Sequence, residues 1–215
     1  MFPYQVVCEG KADEVFFGRL LKASGKNVDV NCPKKDDPNG GMGKAAIHKR
    51  LIGLQSQFDK ITVLIVVVDS DDDPANAFAE ARDEFNKANA ANPSKTYPVP
   101  VTPNTLAAGP LSTAIVLVPE IGAQGCLDSL LLPSFEQAFP GRPVTCANDF
   151  CACVRGPVRG GYSRDARLRL RALIAATQRN PGASLANLLE EGHCPIDIAH
   201  PSFDLIRAVL NGLFP

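Results

Sequence analysis

No apolar run in the 215 residues reaches the roughly 18 that a membrane-spanning helix requires. No basic stretch followed by an apolar one stands behind Met1-Phe2-Pro3-Tyr4, so no secretory leader is expected and the cytoplasm is the expected compartment. Seven cysteines are an odd number in a chain without such a leader, so disulfides are not expected either. Cys146, Cys151 and Cys153, with His193-Cys194 further on, lack the paired C-x2–4-C spacing of a zinc site and read as small buried hydrophobes. Gly40-Gly41-Met42-Gly43-Lys44 lacks P-loop spacing, and Ala45 stands where Ser or Thr would hold a cation, so it reads as a glycine-rich approach to a helix. A net charge is missing too: 22 basic and 23 acidic residues leave −1, and the total says nothing about partners.

The distribution of charge says more. Residues 69–84 hold seven acids against Arg82, and residues 151–180 hold seven arginines against Asp165. Such a split suits a chain with a cation-binding pole and a phosphate-attracting pole. Hydrophobic content of 45% and charged content of 21% are those of an ordinary globular chain.

The first 70 residues read strand, helix, strand, helix, strand. Tyr4–Cys8 is a strand, and a helix follows over about 13–24, ended by Gly25. Val28, Val30 and Cys32 alternate as a second strand, and Pro33–Gly43 is a loop before a helix over about 44–58. Ile61–Val68 is continuously apolar and β-branched, the mark of a strand covered on both faces. Asp73-Pro74 opens another helix, with Asp as cap and Pro in the first turn. Val99–Gly109 reads as a short hairpin or loop insertion, Thr113–Val118 as a fourth strand, and Leu127–Leu132 as the start of a helix. From about residue 144 the pattern is helical, over about 148–154, 165–178, 184–190 and 202–214, with a glycine-rich connector at Gly156–Tyr162. The expected fold is α/β: a mostly parallel, Rossmann-like sheet of four or five strands flanked by helices, over residues 1–143. A helical extension, 144–215, packs on it.

Two acidic strings stand at strand ends. Strand one runs into Glu9-Gly10-Lys11-Ala12-Asp13, and the strand Ile61–Val68 runs into Asp69-Ser70-Asp71-Asp72-Asp73. The C-terminal ends of parallel strands are where open α/β sheets build their sites. Carboxylates gathered there repel one another unless a cation joins them, and hard cations such as Mg²⁺ or Mn²⁺ take oxygen ligands. On a regular strand Asp69 and Asp71 face one side and Asp72 the other, as a solvated bystander. Asp73 is a weaker ligand or only a cap. Glu120, after the fourth strand, and Asp128 are weaker candidates for a second metal, Asp128 being alternatively a helix cap.

Glu9-Gly10-x-x-Asp13 after the first strand and Asp69-x-Asp71 after the third resemble the Toprim domain of topoisomerases, bacterial primases and OLD-type nucleases. Val118-Pro119-Glu120, Gly125–Leu131 and the closing stretch Phe203–Phe214 are similar to a stand-alone prokaryotic group of Toprim-like proteins of unknown function, the DUF3226 type. The resemblance implies Mg²⁺-dependent phosphodiester chemistry. Glu9 takes the catalytic acid/base role, and Asp69 and Asp71 hold the metal. Tyr4, Tyr97 and Tyr162 are the only tyrosines, and none lies in a nucleophile setting, which argues against a topoisomerase.

Lys11, Lys44, Arg164, Arg167 and Arg171 are the candidate phosphate contacts. The three arginines fall at i, i+3 and i+7, one helical face. His48 is a candidate positioning group. Aromatic residues for base stacking are scarce near the arginines, so sequence-specific reading of single strands is not supported. The leading expectation is a Mg²⁺- or Mn²⁺-dependent, nuclease-like activity on nucleic acid. The first alternative is a non-catalytic Toprim-like module that binds metal, nucleic acid or a protein partner, as in a defence or repair complex. The second is a nucleotide-binding protein using the same crevice.

Overall fold

A computed structural model describes residues 2–33, 43–155, 161–190 and 195–214. Most of the Pro33–Gly43 loop, the side chain of Arg155, Arg159 and the pair His193-Cys194 lie outside the described residues.

The chain runs β1 (Tyr4–Cys8), α1 (Lys11–Ala23), β2 (Asp29–Asn31), a 3-10 turn (Lys44–Ala46), α2 (Ile47–Gln55), a second 3-10 turn (Phe58–Lys60), β3 (Val63–Asp69) and α3 (Pro74–Ala91). It continues with β4 (Ser112–Val118), α4 (Leu127–Ala138), α5 (Arg142–Arg155), α6 (Tyr162–Thr177), α7 (Leu185–Leu189), a third 3-10 turn (Pro201–Phe203) and α8 (Asp204–Leu213). The sheet has four strands in the order β2-β1-β3-β4, and every pairing is parallel. Among the described residues no helix is long and apolar enough to cross a membrane.

The alternation along each strand sorts the core into two layers. Val6, Cys8, Val63, Ile65, Val67, Ala114, Val116 and Val118 face a cluster that includes α1, α4, α6, α7 and α8. Val7, Leu64, Val66, Val68, Ile115 and Leu117 face the other, built on α2 and α3. Placing α1 on one face and α2 and α3 on the other is what right-handed crossovers give when the strand order reverses between β1 and β3. Six of the seven β3 residues are buried, so the run reads as continuously apolar. Each such Val, Leu or Ile contributes roughly 1.5–3 kcal/mol by leaving water. The later helices join the same cluster as the sheet through Leu170, Ile174, Leu189, Phe203, Ile206 and Leu210.

Several boundaries differ from the sequence reading. α1 begins at Lys11 rather than Asp13, because Gly10 supplies an extended cap position and its carbonyl accepts from the Glu14 N–H at 3.0 Å. The second helical stretch is broken into two 3-10 turns around α2, and α5 begins at Arg142, six residues before the expected start. The Val99–Gly109 stretch makes a single antiparallel bridge, Ala107 with Thr113. The Asn104 N–H also donates to the Ile115 carbonyl at 2.8 Å, so the loop covers the β4 edge, which would otherwise present unpaired backbone groups. Asp73 caps α3 as expected, its carboxylate accepting from the Asn76 N–H at 3.0 Å with Pro74 in the first turn.

Candidate functional site

β1 and β3 are neighbours, and the strand order reverses between them, so the crevice beyond their C-terminal ends is the switch point of the sheet. Glu9 follows β1 directly and Asp69 is the last residue of β3. Parallel register, with Cys8 opposite Val67, carries both side chains to the same end. The Asp69 N–H donates to Glu9 Oε1 at 2.8 Å, and the Leu127 N–H, the first amide of α4, donates to Asp69 Oδ1 at 2.9 Å. One carboxylate thus rests on β3 and the next on a helix N-terminus, whose partial positive charge favours an anion.

Asp71 arrives by a different route. β3 stops at Asp69, and Asp71 turns the chain with a left-handed backbone, φ +49°. Its N–H donates to the Gly125 carbonyl at 2.7 Å, and the Gly125 N–H returns a bond to the Asp71 carbonyl at 2.8 Å. The strand alternation expected to align Asp69 with Asp71 therefore does not operate. Asp71 is placed instead by the loop folding back on the α4 approach. Gly125, with φ +148°, is required there: a Cβ would lie 2.6 Å from Ser129 Oγ and 2.7 Å from Pro119 Cδ.

Asp72 is exposed, as the alternation predicts, but it is not idle. Its Oδ1 accepts from the Ser163 N–H in the first turn of α6 at 3.3 Å, and its carbonyl accepts from Gln124 Nε2 at 2.8 Å. Gly161 comes so close that an added Cβ would lie 1.7 Å from Asp72 Oδ2. Asp72 fastens the later helices to the loop that carries Asp71.

The electrostatics mark the group as a set. Burial, with Asp13 and Glu9 nearby, holds the Asp69 carboxyl well above the usual range. Burial also raises Glu9, with the Asp71 charge adding to it and Lys44 and the Asp69 N–H opposing. Burial and the Glu9 charge push Asp13 up to about 7. Asp13 is the residue to which the sequence reading gave no role. Four residues beyond Glu9, in the first turn of α1, it turns back toward the strand end. Asp128 is 7% exposed, and its Oδ1 is buried without a hydrogen-bond partner. Its Oδ2 lies 3.5 Å from Arg167 Nε. The N-cap of α4 is Cys126, so Asp128 stands inside the first turn rather than at the cap position.

One lysine enters this acidic group. The Gly43 N–H donates to the Glu9 carbonyl at 3.2 Å, fixing the start of the 3-10 turn against the end of β1. Lys44 Nζ is then 3.1 Å from Asp71 Oδ2, 3.6 Å from Glu80 Oε2 and 4.0 Å from Glu9 Oε1. Beside it, a cavity of about 260 Å³ is lined by Lys44, Ala45, Glu80, Asp83, Glu84 and Lys87. His48 lies near, its backbone N–H and Nδ1 both meeting Glu84 Oε2, at 2.9 and 2.7 Å.

The remaining candidates lie elsewhere or are engaged. Glu120 is exposed and lines a different cavity of about 150 Å³ with Leu205, Ile206 and Val209. Lys11 pairs with Glu14 at the surface. The arginine stripe of α6 divides: Arg167 pairs with Asp128, Arg171 donates to the Ala183 carbonyl at 3.3 Å, and Arg164 is exposed with partners of its own. A cavity of about 550 Å³ between α5 and α6 is lined by Phe150, Leu168, Arg171 and alanines and holds none of the acids.

The donor set is all oxygen, as a hard divalent cation requires, and Asp128 Oδ1 is a buried lone pair left over. In chemistry these residues fit such a cation. Their side chains are not drawn together around one point: among the described residues no group of three or more His, Cys, Asp or Glu has metal-holding geometry.

No curated protein and no solved structure matches the chain. The model of one family, described as Protein of unknown function (DUF3226), matches residues 3–214, and with nearly its whole length covered the chain belongs to the DUF3226 family.

Proposed function

We propose that the strand-end carboxylates form a Toprim-like centre for divalent-cation-dependent phosphodiester chemistry on nucleic acid, nuclease-like in its outcome. The observation that carries this reading is the coupling of Glu9, Asp13 and Asp69 at the switch point, with Glu9 and Asp69 joined through a 2.8 Å hydrogen bond. Three half-buried carboxyls held above their ordinary range are costly to a fold, and such groups concentrate at functional sites. Asp69 and Asp71 would hold Mg²⁺ or Mn²⁺, with Asp128 Oδ1 a further oxygen donor. The cation would supply neutralisation of the charge that builds on the phosphate oxygens. Glu9, its carboxyl raised above the ordinary range by burial, is suited to carry a proton to or from the reacting oxygen. Arg164, exposed on α6 one residue after Ser163, would be a phosphate contact.

The test is cleavage of single- and double-stranded DNA and RNA with Mg²⁺ or Mn²⁺. Loss of cleavage in Asp69→Ala and Asp71→Ala, with fold retained by circular dichroism, is the expected result. Cleavage that survives both substitutions refutes the assignment. The presence of Lys44 among the acids favours a second reading, a non-catalytic binding module whose centre is closed by its own ammonium. Tight nucleic-acid binding without turnover would select it.

A further inference from the structure

α5 and α6 leave a cleft between them. Its volume of about 550 Å³ falls within the roughly 300–1,000 Å³ of small-molecule sites. One wall is α5, with Cys146 and Phe150, and the other is α6, with Leu168, Ala172 and Ala175. Cys146 and Phe150 are four residues apart, and Leu168, Ala172 and Ala175 fall at i, i+4 and i+7, so helical spacing turns each set to one face. Phe150 is 50% exposed, a large ring left facing water beside other apolar groups, and contiguous apolar surface of this kind marks a binding site. Among the described residues that line the cleft, Arg171 is the one charged side chain. It donates to the Ala183 carbonyl at 3.3 Å through one nitrogen, which holds the guanidinium beside the cleft. A guanidinium has five donors and no acceptor, so that single bond leaves it able to take an anion.

We propose that this cleft binds a single-chain amphiphile with an anionic head, a medium-chain carboxylic acid, with its tail between α5 and α6 and its carboxylate on Arg171. Charge complementarity decides the head, because the lining carries one cation and no acid. The apolar walls decide the tail: outside Arg171 they are a phenyl ring, a leucine, a thiol and alanines, and a site with one polar group fixes a ligand by one polar end. A second copy of the chain is the poorer occupant. A two-fold contact presents the same patch from both chains, so it would bring two Arg171 side chains to one interface with no lining acid to balance them. The cleft holds none of the strand-end acids, so this site is independent of the function proposed for them.

The experiment is calorimetric titration of the wild-type chain, Arg171→Met and Ala172→Leu with decanoate and with decanol, which has the same tail and no charge. It is paired with maleimide labelling of the wild-type chain, read by peptide mapping with and without decanoate. The wild-type chain is expected to bind decanoate more tightly than decanol by about two- to fivefold, the gain of an exposed ion pair. Arg171→Met should erase that difference by weakening decanoate alone. Ala172→Leu, which fills the cleft, should weaken both ligands severalfold. Decanoate should slow labelling of Cys146, which lines the cleft, severalfold, and leave exposed Cys153, which is not among the lining residues, unchanged. No binding of decanoate, equal binding of the two ligands by the wild-type chain, or wild-type affinity in Ala172→Leu overturns the proposal. Should either variant not fold, the wild-type labelling decides: an unchanged rate at Cys146 in saturating decanoate refutes the site. A dimer by light scattering with Cys146 already protected before decanoate is added gives the cleft to a second copy and refutes it too.

Discussion

Asp13→Asn isolates what the acidic centre costs the fold. Asp13 sits in the first turn of α1, and burial with the Glu9 charge lifts its carboxyl from 3.8 to about 7. A carboxyl raised on folding keeps its proton in the folded chain and loses it in the unfolded one. Its contribution to stability is therefore intact below pH 3.8 and is lost as pH rises through about 7. At 1.36 kcal/mol per unit, the full shift corresponds to roughly 4 kcal/mol by pH 8. That is an upper bound, because Glu9, Asp13 and Asp69 titrate as a set and a proton on one relieves the others. Asn keeps the oxygen that accepts from the Gly10 N–H and removes the charge. In chelator, urea unfolding at pH 5, 6.5 and 8 should show the wild-type chain weakening as pH rises. Asp13→Asn should flatten that slope and be the more stable protein at pH 8, by about 1–4 kcal/mol. If Asp13→Asn is less stable than wild type at pH 8, or the slope is unchanged, the carboxylate is not held in a like-charged, desolvated site and the electrostatic argument fails.

Three further outcomes follow from the same geometry. Gly125→Ala places a Cβ 2.6 Å from Ser129 Oγ in a backbone region that L-residues avoid, so it should cost at least about 1–3 kcal/mol in denaturant unfolding. Glu84 is held below its usual range by the Lys87 and His48 hydrogen bonds against the cost of its burial. Its contribution is present above pH 4.5 and lost as pH falls through its lowered folded value, so Glu84→Gln should destabilise by about 1–2 kcal/mol at pH 7, and the deficit should narrow at pH 3. Among the described thiols, Cys146 and Cys153 are exposed and should label with maleimide first. Buried Cys32, whose thiol burial and the Glu14 carboxylate push up to about 12, should stay unlabelled by peptide mapping until urea unfolds the chain.

How far the sequence carried this structure depends on whether a feature was written in local periodicity. β3 was legible because a strand buried on both faces needs an unbroken apolar run, and Asp69 was legible because that run ends on it. The capping of α3 by Asp73 was legible because Asp-Pro is a local signal. Asp13 was visible in its motif but not in its role. With α1 read as starting at Asp13, nothing set its carboxylate toward the strand end, whereas the true start at Lys11 puts it in the first turn of the helix, four residues after Glu9. The bond from α6 to exposed Asp72 was missed because period-two alternation was extended past the end of β3, into a loop whose left-handed Asp71 cancels it. The arginines of α6 were placed on one face correctly by spacing. Spacing could not say that Asp128, on α4, would take Arg167 out of that face.

The charge balance of the centre sets what it costs the fold. Glu9, Asp13, Asp69, Asp71 and Asp128 meet only Lys44 and Arg167 among the ion pairs described around them. Apolar residues of similar size at these strand ends would stabilise the fold more, since burying unbalanced carboxylates opposes folding. That cost falls in one crevice, at the switch point of the sheet. Two agents can close the deficit: protons, which the raised carboxyls already invite below neutrality, or a divalent cation above it. The two compete for the same oxygens. A centre that binds its cation should therefore show Mn²⁺ affinity rising with pH across the range in which Asp13 gives up its proton, and a centre that merely caps the sheet should not.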